Sequence, residues 1–575
     1  MKTYDLALKK LLAATLVLLL SACSVKSTIV ATSTTAPDVT HLYVTVSAVW
    51  LNPSASAQAG DGSWTRVTLN KPVTVDLYDP THYTLRTIIS NANLPAGTYA
   101  QMRWLLVSNS AALANSASSL GLAYNNLVEF NSANSTQTVP LEFPTQAQSL
   151  LIPSDVVISG SASSGQSVVD TLVLSLDALR HVNYLTQTFA NGSKQTFAML
   201  SAPASALLAT KSGAISGSLD LSSIDTAVLG SQGLIATAQV LAADGSRHIA
   251  VGSAVVQVSG TTGTFTLYPL PLSSSGTTTY DVVIHGPGVA PILIQSVPAS
   301  AGSTGTSIQS QSLAVQPASV YSVTMPRVTT NAAGQVFTGN SQANTLPAGA
   351  DVGFFETIRS ASPAPYLIES ASLNPLTRQF SATDSTDPIV SDTAWLLSNS
   401  PVWVGAYNGG SAITLTNAVP AEGAGAYLVA ASAPLYTDGA LTLRVNPIAT
   451  TATPTPLYPA VPVSASGIVT NVAVTLLPST LRYDRGTLLF SAGGKVVQAV
   501  DLAAALLAGA GDAPITVTVY GVPTGGLSGS YRSAVYDVEA RVWNSGNPSQ
   551  AVRYSWISGV DLSSGLTSTL SLNLP

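Results

Sequence analysis

The chain has one cysteine, Cys23, in 575 residues. No disulfide can form within it, so its folded parts rest on apolar cores and strand ladders even in an oxidising compartment. Charge is scarce as well: Asp, Glu, Lys and Arg make up 9% of the residues, where about 25% is usual. No Lys/Arg cluster marks a basic face, which excludes the electrostatic footprint of a nucleic-acid binder. The formal net charge is −6. Residues 1–22 carry three lysines and one aspartate, so their removal lowers it to −8. Long apolar runs are missing too. The longest, Leu11–Leu20, is broken only by Thr15, and a bilayer core needs about twenty residues.

Motifs that carry chemistry are also lacking. There is no His-Glu-x-x-His, no phosphate-cradling glycine loop opening a helix, and no Gly-x-Ser-x-Gly elbow. Gly526-Leu527-Ser528-Gly529 comes near the elbow and reads as a hairpin loop. His41, His82, His181, His248 and His285 are scattered, as surface or internally satisfied histidines would be. A triad of His82, Asp79 and Ser90 can be drawn, but any serine-rich chain permits such drawings. Asp384 and Asp387 stand three apart without the further oxygen donors and turn glycine of a calcium loop. Asp220, Asp225 and Asp244 read as turn residues. Glu129, Glu142, Glu356, Glu369, Glu422 and Glu539 show no pairing that would flank a glycosidic bond. The expectation is a non-catalytic protein without cofactor or metal.

What is present begins with Lys2, Lys9 and Lys10, the apolar run, and the small residues Ser21 and Ala22. That order is a secretory signal peptide, residues 1–22. Leu20-Ser21-Ala22-Cys23 resembles the lipobox of bacterial lipoproteins. The resemblance implies cleavage between Ala22 and Cys23, a diacylglycerol on the Cys23 thiol and an acylated new N-terminus. Because Ser24 and not aspartate follows, it also implies transfer to the outer membrane, with the body on the periplasmic face or the cell surface. The expected partners are the bilayer, through acylated Cys23, and an unidentified protein or glycan. Several acyl chains hold firmly where one holds marginally.

Ser27–Pro37 is rich in Ser, Thr and Ala and reads, within residues 23–38, as a flexible tether. Beyond it the apolar period is two. Leu42, Val44, Val46, Ala48 and Trp50 alternate with more polar neighbours, and so do Val73, Val75 and Leu77, and later Leu172, Leu174 and Leu176. Short strands between turn signals predict an all-β chain, a multidomain string of antiparallel β-sandwiches. Trp50, then Trp64, Val75-Asp76-Leu77, Pro95-Ala96-Gly97-Thr98-Tyr99 with Gln101 and Arg103, and Leu174-Ser175-Leu176-Asp177 together resemble the DUF4382 family of exported bacterial lipoproteins, over 39–208. That family supplies no activity. Gly263-Thr264-Phe265-Thr266-Leu267 and Tyr280-Asp281-Val282-Val283-Ile284 resemble the carboxypeptidase regulatory-like, transthyretin-like sandwich, over 213–326, which implies a spacer or binding unit.

Asn340–Gly349 reads as a linker into a β-rich domain, 340–466, and a last β-rich domain spans 467–575. In the latter, Tyr536-Asp537-Val538 echoes Tyr280-Asp281-Val282, a sign of internal repetition. Ala499–Ala510 is expected to hold one short helix. Trp50, Trp104 and Trp403 are expected in cores, whereas Trp64, at a loop margin, is a candidate exposed platform for a saccharide. A surface glycan-binding or glycan-processing protein is therefore the second reading.

Overall fold

A computed structural model describes residues 24–574 with interruptions, the longest at 324–347, 373–393 and 446–468. Among the described residues the protein is all-β and multidomain, with several separate sheets. No described helix is long and apolar enough to cross a membrane.

The first domain comprises β1 (Ser24–Thr34), β2 (Val39–Asn52), β3 (Thr65–Asp76), β4 (Arg86–Pro95), β5 (Gly97–Leu106), the short helix α1 (Asn115–Ser119), β6 (Leu127–Ser132), β7 (Ser135–Glu142), β8 (Leu150–Ile158), β9 (Asp170–Asp177), β10 (Val182–Thr188), β11 (Lys194–Leu200) and β12 (Ala204–Leu208). One sheet has the order β12-β9-β1-β4. The other runs β10-β11-β7-β6-β2-β5-β8, with β3 on β2. Their facing sides enclose a core that includes Leu42, Val44, Trp104, Phe130, Leu172 and Leu174.

The expected tether is wrong, because β1 is an inner strand. It pairs antiparallel with β4 from Ser24↔Pro95 onward and parallel with β9 from Ser27↔Asp170 to Thr34↔Asp177. Ile29 and Ala31 lie in the core, while Val30 on the other face packs with Val173, Ala214 and Tyr268 against the second domain. A strand buried on both faces need not alternate, and its small hydroxyl residues hide the apolar signal.

The second module comprises β13 (Ser212–Asp220), β14 (Leu234–Leu241), β15 (His248–Ser259), β16 (Thr262–Pro271), β17 (Thr278–Gly286), β18 (Val289–Ala301) and β19 (Thr306–Ile308). The third has β20 (Val320–Val323), β21 (Asp351–Glu356), β22 (Tyr366–Ser372), β23 (Ala394–Leu397), β24 (Val402–Ala406), β25 (Thr416–Ala418), β26 (Tyr427–Ser432) and β27 (Leu443–Val445). The fourth has β28 (Val469–Leu477), β29 (Arg485–Ala492), β30 (Lys495–Asp501), the helix α2 (Ala503–Ala508), β31 (Ile515–Pro523), β32 (Val535–Trp543), β33 (Arg553–Asp561) and β34 (Leu570–Asn573).

These three modules repeat one strand order. The second contains β19-β13-β16 and β15-β14-β17-β18; the fourth contains β34-β28-β31 and β30-β29-β32-β33. In the third, β20-β23 and β22-β21-β26-β27 occupy the same places. Tyr280, Tyr427 and Tyr536 stand at matching positions, each opposite a valine: Val297, Val445 and Val560. Tyr280 Oη donates to the Pro271 carbonyl, and Tyr536 Oη to the Pro523 carbonyl at 2.6 Å.

Two boundaries move. β20 falls in the span 213–326 but pairs with β23 of the third module. The 340–466 and 467–575 units do not have separate cores: Val352, Phe354, Phe490 and Val538 belong to one apolar cluster, which also takes in Val283 and Leu293 of the second module. The third module also lends the β24–β25 hairpin to the second, with β24 parallel to β18 through Ile292↔Trp403. Most of the expected linker Asn340–Gly349 lies outside the described residues. The expected helix is α2, shorter than Ala499–Ala510 because β30 runs to Asp501, whose Oδ1 accepts the Ala503 N–H at 2.8 Å.

Candidate functional site

Strand side chains point alternately to opposite faces. On β17, Tyr280, Val282 and Ile284 fill the core of the second module, so Asp281, Val283 and His285 face outward. β22 of the third module covers them. Tyr366 Oη donates to Asp281 Oδ2 at 2.9 Å, and its ring stacks on His248 with centroids 3.9 Å apart. Gln239 Nε2 donates to the Leu367 carbonyl at 2.6 Å, and Gln239 Oε1 accepts the Leu367 N–H at 3.1 Å. His285 Nδ1 lies 3.2 Å from Glu369 Oε2, both side chains buried. Burial holds the His248 imidazole below its ordinary value, against the pull of the Pro365 carbonyl and Asp281.

The matching strand of the fourth module, β32, presents Asp537, Glu539 and Arg541 to the first domain. Arg103 Nη1 donates to Asp537 Oδ1 at 3.1 Å. Arg541 Nε donates to Glu539 Oε1 at 2.6 Å, its Nη1 stands 3.2 Å from Glu142 Oε2, and its Nη2 donates to the Phe143 carbonyl. Tyr554 Oη donates to Glu142 Oε1 at 2.8 Å. Burial raises the Glu142 carboxyl above its usual range, with Arg541 and Tyr554 opposing it. Burial works against the Arg541 charge, but Glu539 and Glu142 outweigh it and raise that group.

A third junction joins the first, third and fourth units. Lys495 Nζ is ion-paired with Asp351 Oδ2, Ser372 Oγ donates to Asp351 Oδ1 at 2.6 Å, and His181 Nδ1 lies 3.0 Å from Ser372 Oγ. Burial opposes the Asp351 charge, yet Lys495 and His181 leave its carboxyl below the ordinary value. In an acyl-transfer relay the imidazole takes the serine proton and the carboxylate orients the imidazole. Here the carboxylate takes the serine proton in a hydrogen bond and is itself ion-paired with Lys495. The arrangement supplies cohesion between units.

Cys23 and Ala22 lie outside the described residues, as do Asp79, His82, Asp225, Asp384, Asp387 and Gly526–Gly529. Ser90 is an exposed residue of β4. Asp244 is a turn residue and Asp220 the last residue of β13, before a turn; they accept the N–H of Ser246 at 3.0 Å and of Ser222 at 2.9 Å. His41 is 2.6 Å from Asp76, so each described histidine faces a carboxylate. Among the described residues no group of three or more His, Cys, Asp or Glu could hold a metal ion. Trp104 is buried; Trp50 and Trp403 are half-buried.

Trp64 is not the exposed platform expected of it. It is 7% exposed, stands 6.0 Å from Trp50 and donates from Nε1 to the Gln58 carbonyl at 2.7 Å. Loop 53–63 folds back and covers the indole. The junction residues escaped the sequence reading, although charged residues alternating inside an apolar strand (Asp281/His285, Asp537/Glu539/Arg541) are a signal that both faces are covered.

A family model described as "Domain of unknown function (DUF4382)" matches residues 28–192. Its start falls inside β1, earlier than residue 39. No curated protein matches. A solved structure of the Bacillus anthracis TIE protein is similar at 9% identity over 96% of this chain and 72% of that one, with a TM-score of 0.12. Residues 28–192 thus form a DUF4382 domain, to which the family description assigns no activity.

Proposed function

We propose that the protein is an outer-envelope lipoprotein of a Gram-negative cell, held in the membrane by acyl chains on Cys23, and that it serves as a non-catalytic structural or binding protein. One observation carries the reading: the single cysteine of the chain closes the leader's apolar run in the sequence Leu20-Ser21-Ala22-Cys23. The chemistry requires a thiolate-forming residue there with small neighbours. The welded β-modules support a rigid body more than a catalyst, since the buried ionic groups described above are engaged with one another. The three repeated modules are of the carboxypeptidase regulatory-like type in this reading, a proposal that their shared strand order and the Gly263–Phe265–Leu267 pattern support.

Cys23→Ser with the leader intact tests the anchor. The variant is expected to leave the membrane fraction or to stay as an uncleaved precursor. A mature variant that still fractionates with lipid as the native protein does would overturn the reading.

A further inference from the structure

Cys23 and Ser24 are consecutive, so their Cα atoms are 3.8 Å apart. Ser24 is already the first residue of β1, opposite Pro95 at the end of β4. Val25 and Ser27 are buried next to it, and Leu94, the partner of Val25, is fully buried. The sheet therefore begins where the lipidated residue ends, and no free chain separates them.

The surface at that end of the domain is suited to lipid. Pro95, Ala96, Gly97 and Thr98 form an exposed, uncharged turn between β4 and β5. Val157, opposite Thr98 on β8, is 51% exposed, and the exposed Asp155 follows on the same face farther from this end, at a depth comparable with Lys26. Lys26, opposite Asn93, is exposed one pair farther from this end than Val25. An uncharged tip with Lys26 and Asp155 set back from it matches the headgroup–acyl boundary, with the charged groups among the headgroups. The second module lies along the flank of β1 from its middle to its far end: Val30 packs with Ala214 and Tyr268, and Ser253 Oγ donates at 2.8 Å to Asp177, which pairs with Thr34.

We propose that the DUF4382 domain stands directly on the bilayer, with the Pro95–Thr98 turn and Val157 seated at the lipid surface. This rests on acylation of Cys23, as proposed above. The bound body has one fixed face toward the membrane.

The test uses the full mature protein purified from membranes and reconstituted into vesicles of phosphatidylethanolamine and phosphatidylglycerol. Ala96→Cys and, as a distant exposed control, Leu241→Cys (51% exposed in the native protein) are each labelled with an environment-sensitive fluorophore. Vesicle flotation first reports the anchor, and a lipid-borne quencher then reports depth. The proposal predicts flotation of both variants and at least threefold stronger quenching at position 96 than at 241. Inserting a ten-residue Gly/Ser linker after Ser24 is expected to keep flotation and abolish the difference. Flotation with equal quenching at both sites would overturn direct docking and leave the anchor standing. Loss of flotation in both variants, with an unmodified Cys23 by mass measurement, would overturn the anchor and the docking with it.

Discussion

The second and fourth modules share a strand order and differ in what they hold. In both, the aspartate after the core tyrosine caps a left-handed residue on the next strand: Asp281 Oδ1 accepts the N–H of Ser296 (φ 58°) at 2.8 Å, and Asp537 Oδ1 accepts that of Gly559 (φ 74°) at 3.0 Å. Each carboxylate also receives a neighbour, Asp281 on its other oxygen and Asp537 chiefly on the same Oδ1. Asp281 takes a neutral phenol, Tyr366, from the third module; Asp537 takes a cation, Arg103, from the first domain. The third module has Leu428 at that position, opposite Phe355 where the others have Gln239 and Ser491. One scaffold thus carries a docking carboxylate that is matched to its neighbour or omitted.

The comparison predicts unequal costs. Arg103→Ala strands Asp537 in a buried joint, since the two side chains are 0% and 3% exposed. Breaking such a pair costs about 3–5 kcal/mol, expected as a large fall in the urea midpoint of the transition that includes the first domain. A double variant, Arg103→Met with Asp537→Leu, is expected to recover much of it. If Arg103→Ala costs no more than Tyr366→Phe, the distinction between charged and neutral joints fails.

The capped residues come next. A Cβ on Gly559 would lie 2.7 Å from Gln58 Cα and 2.9 Å from Ala59 N, both backbone atoms that cannot yield cheaply. Gly559→Ser is expected to cost about 2–4 kcal/mol from overpacking and left-handed strain and to unseat loop 53–63, read as increased exposure of Trp64 to an aqueous quencher. Ser296 is exposed, and Ser296→Gly is expected to raise stability by about 1 kcal/mol. Opposite signs at matching positions would sharpen the comparison; equal signs would break it.

The third module also buries Glu356, whose carboxyl burial and then Glu422 push well above the ordinary value. The folded state then binds a proton that the unfolded state releases. Stability from this group is present at low pH and declines as pH rises through the folded value. Glu356→Gln is expected to flatten that slope above the ordinary glutamate range and to leave the acid-side midpoint unchanged. The smallest effects belong to the tyrosine hydroxyls. Tyr280→Phe and Tyr536→Phe each remove one hydrogen bond to a proline carbonyl and are expected to cost about 1 kcal/mol, alike in both modules if these are true repeats.

The all-β class was legible from the period-two alternation, and the repeat was legible in Tyr280-Asp281-Val282 and Tyr536-Asp537-Val538, because a tyrosine that must reach a carbonyl and an aspartate that must cap a bulge leave residue-level traces. The junctions were not. Arg103 and Asp537 are 434 residues apart, and neither carries a local sign of its partner. β1 was hidden because burial on two faces lets Ser, Thr and Ala serve as core residues. Trp64 was misread because a loop's fold-back over an indole has no periodicity to betray it.

The proposed anchor is a lipid on the sulfur of Cys23, with a folded sheet starting one residue later. Its most direct test is mass measurement of the N-terminal peptide of the protein extracted from membranes. A mature chain starting at Cys23 and carrying the mass of a diacylglycerol and an amide-linked acyl group is the predicted result. A chain that starts elsewhere, or starts at Cys23 with a free thiol, would contradict the account.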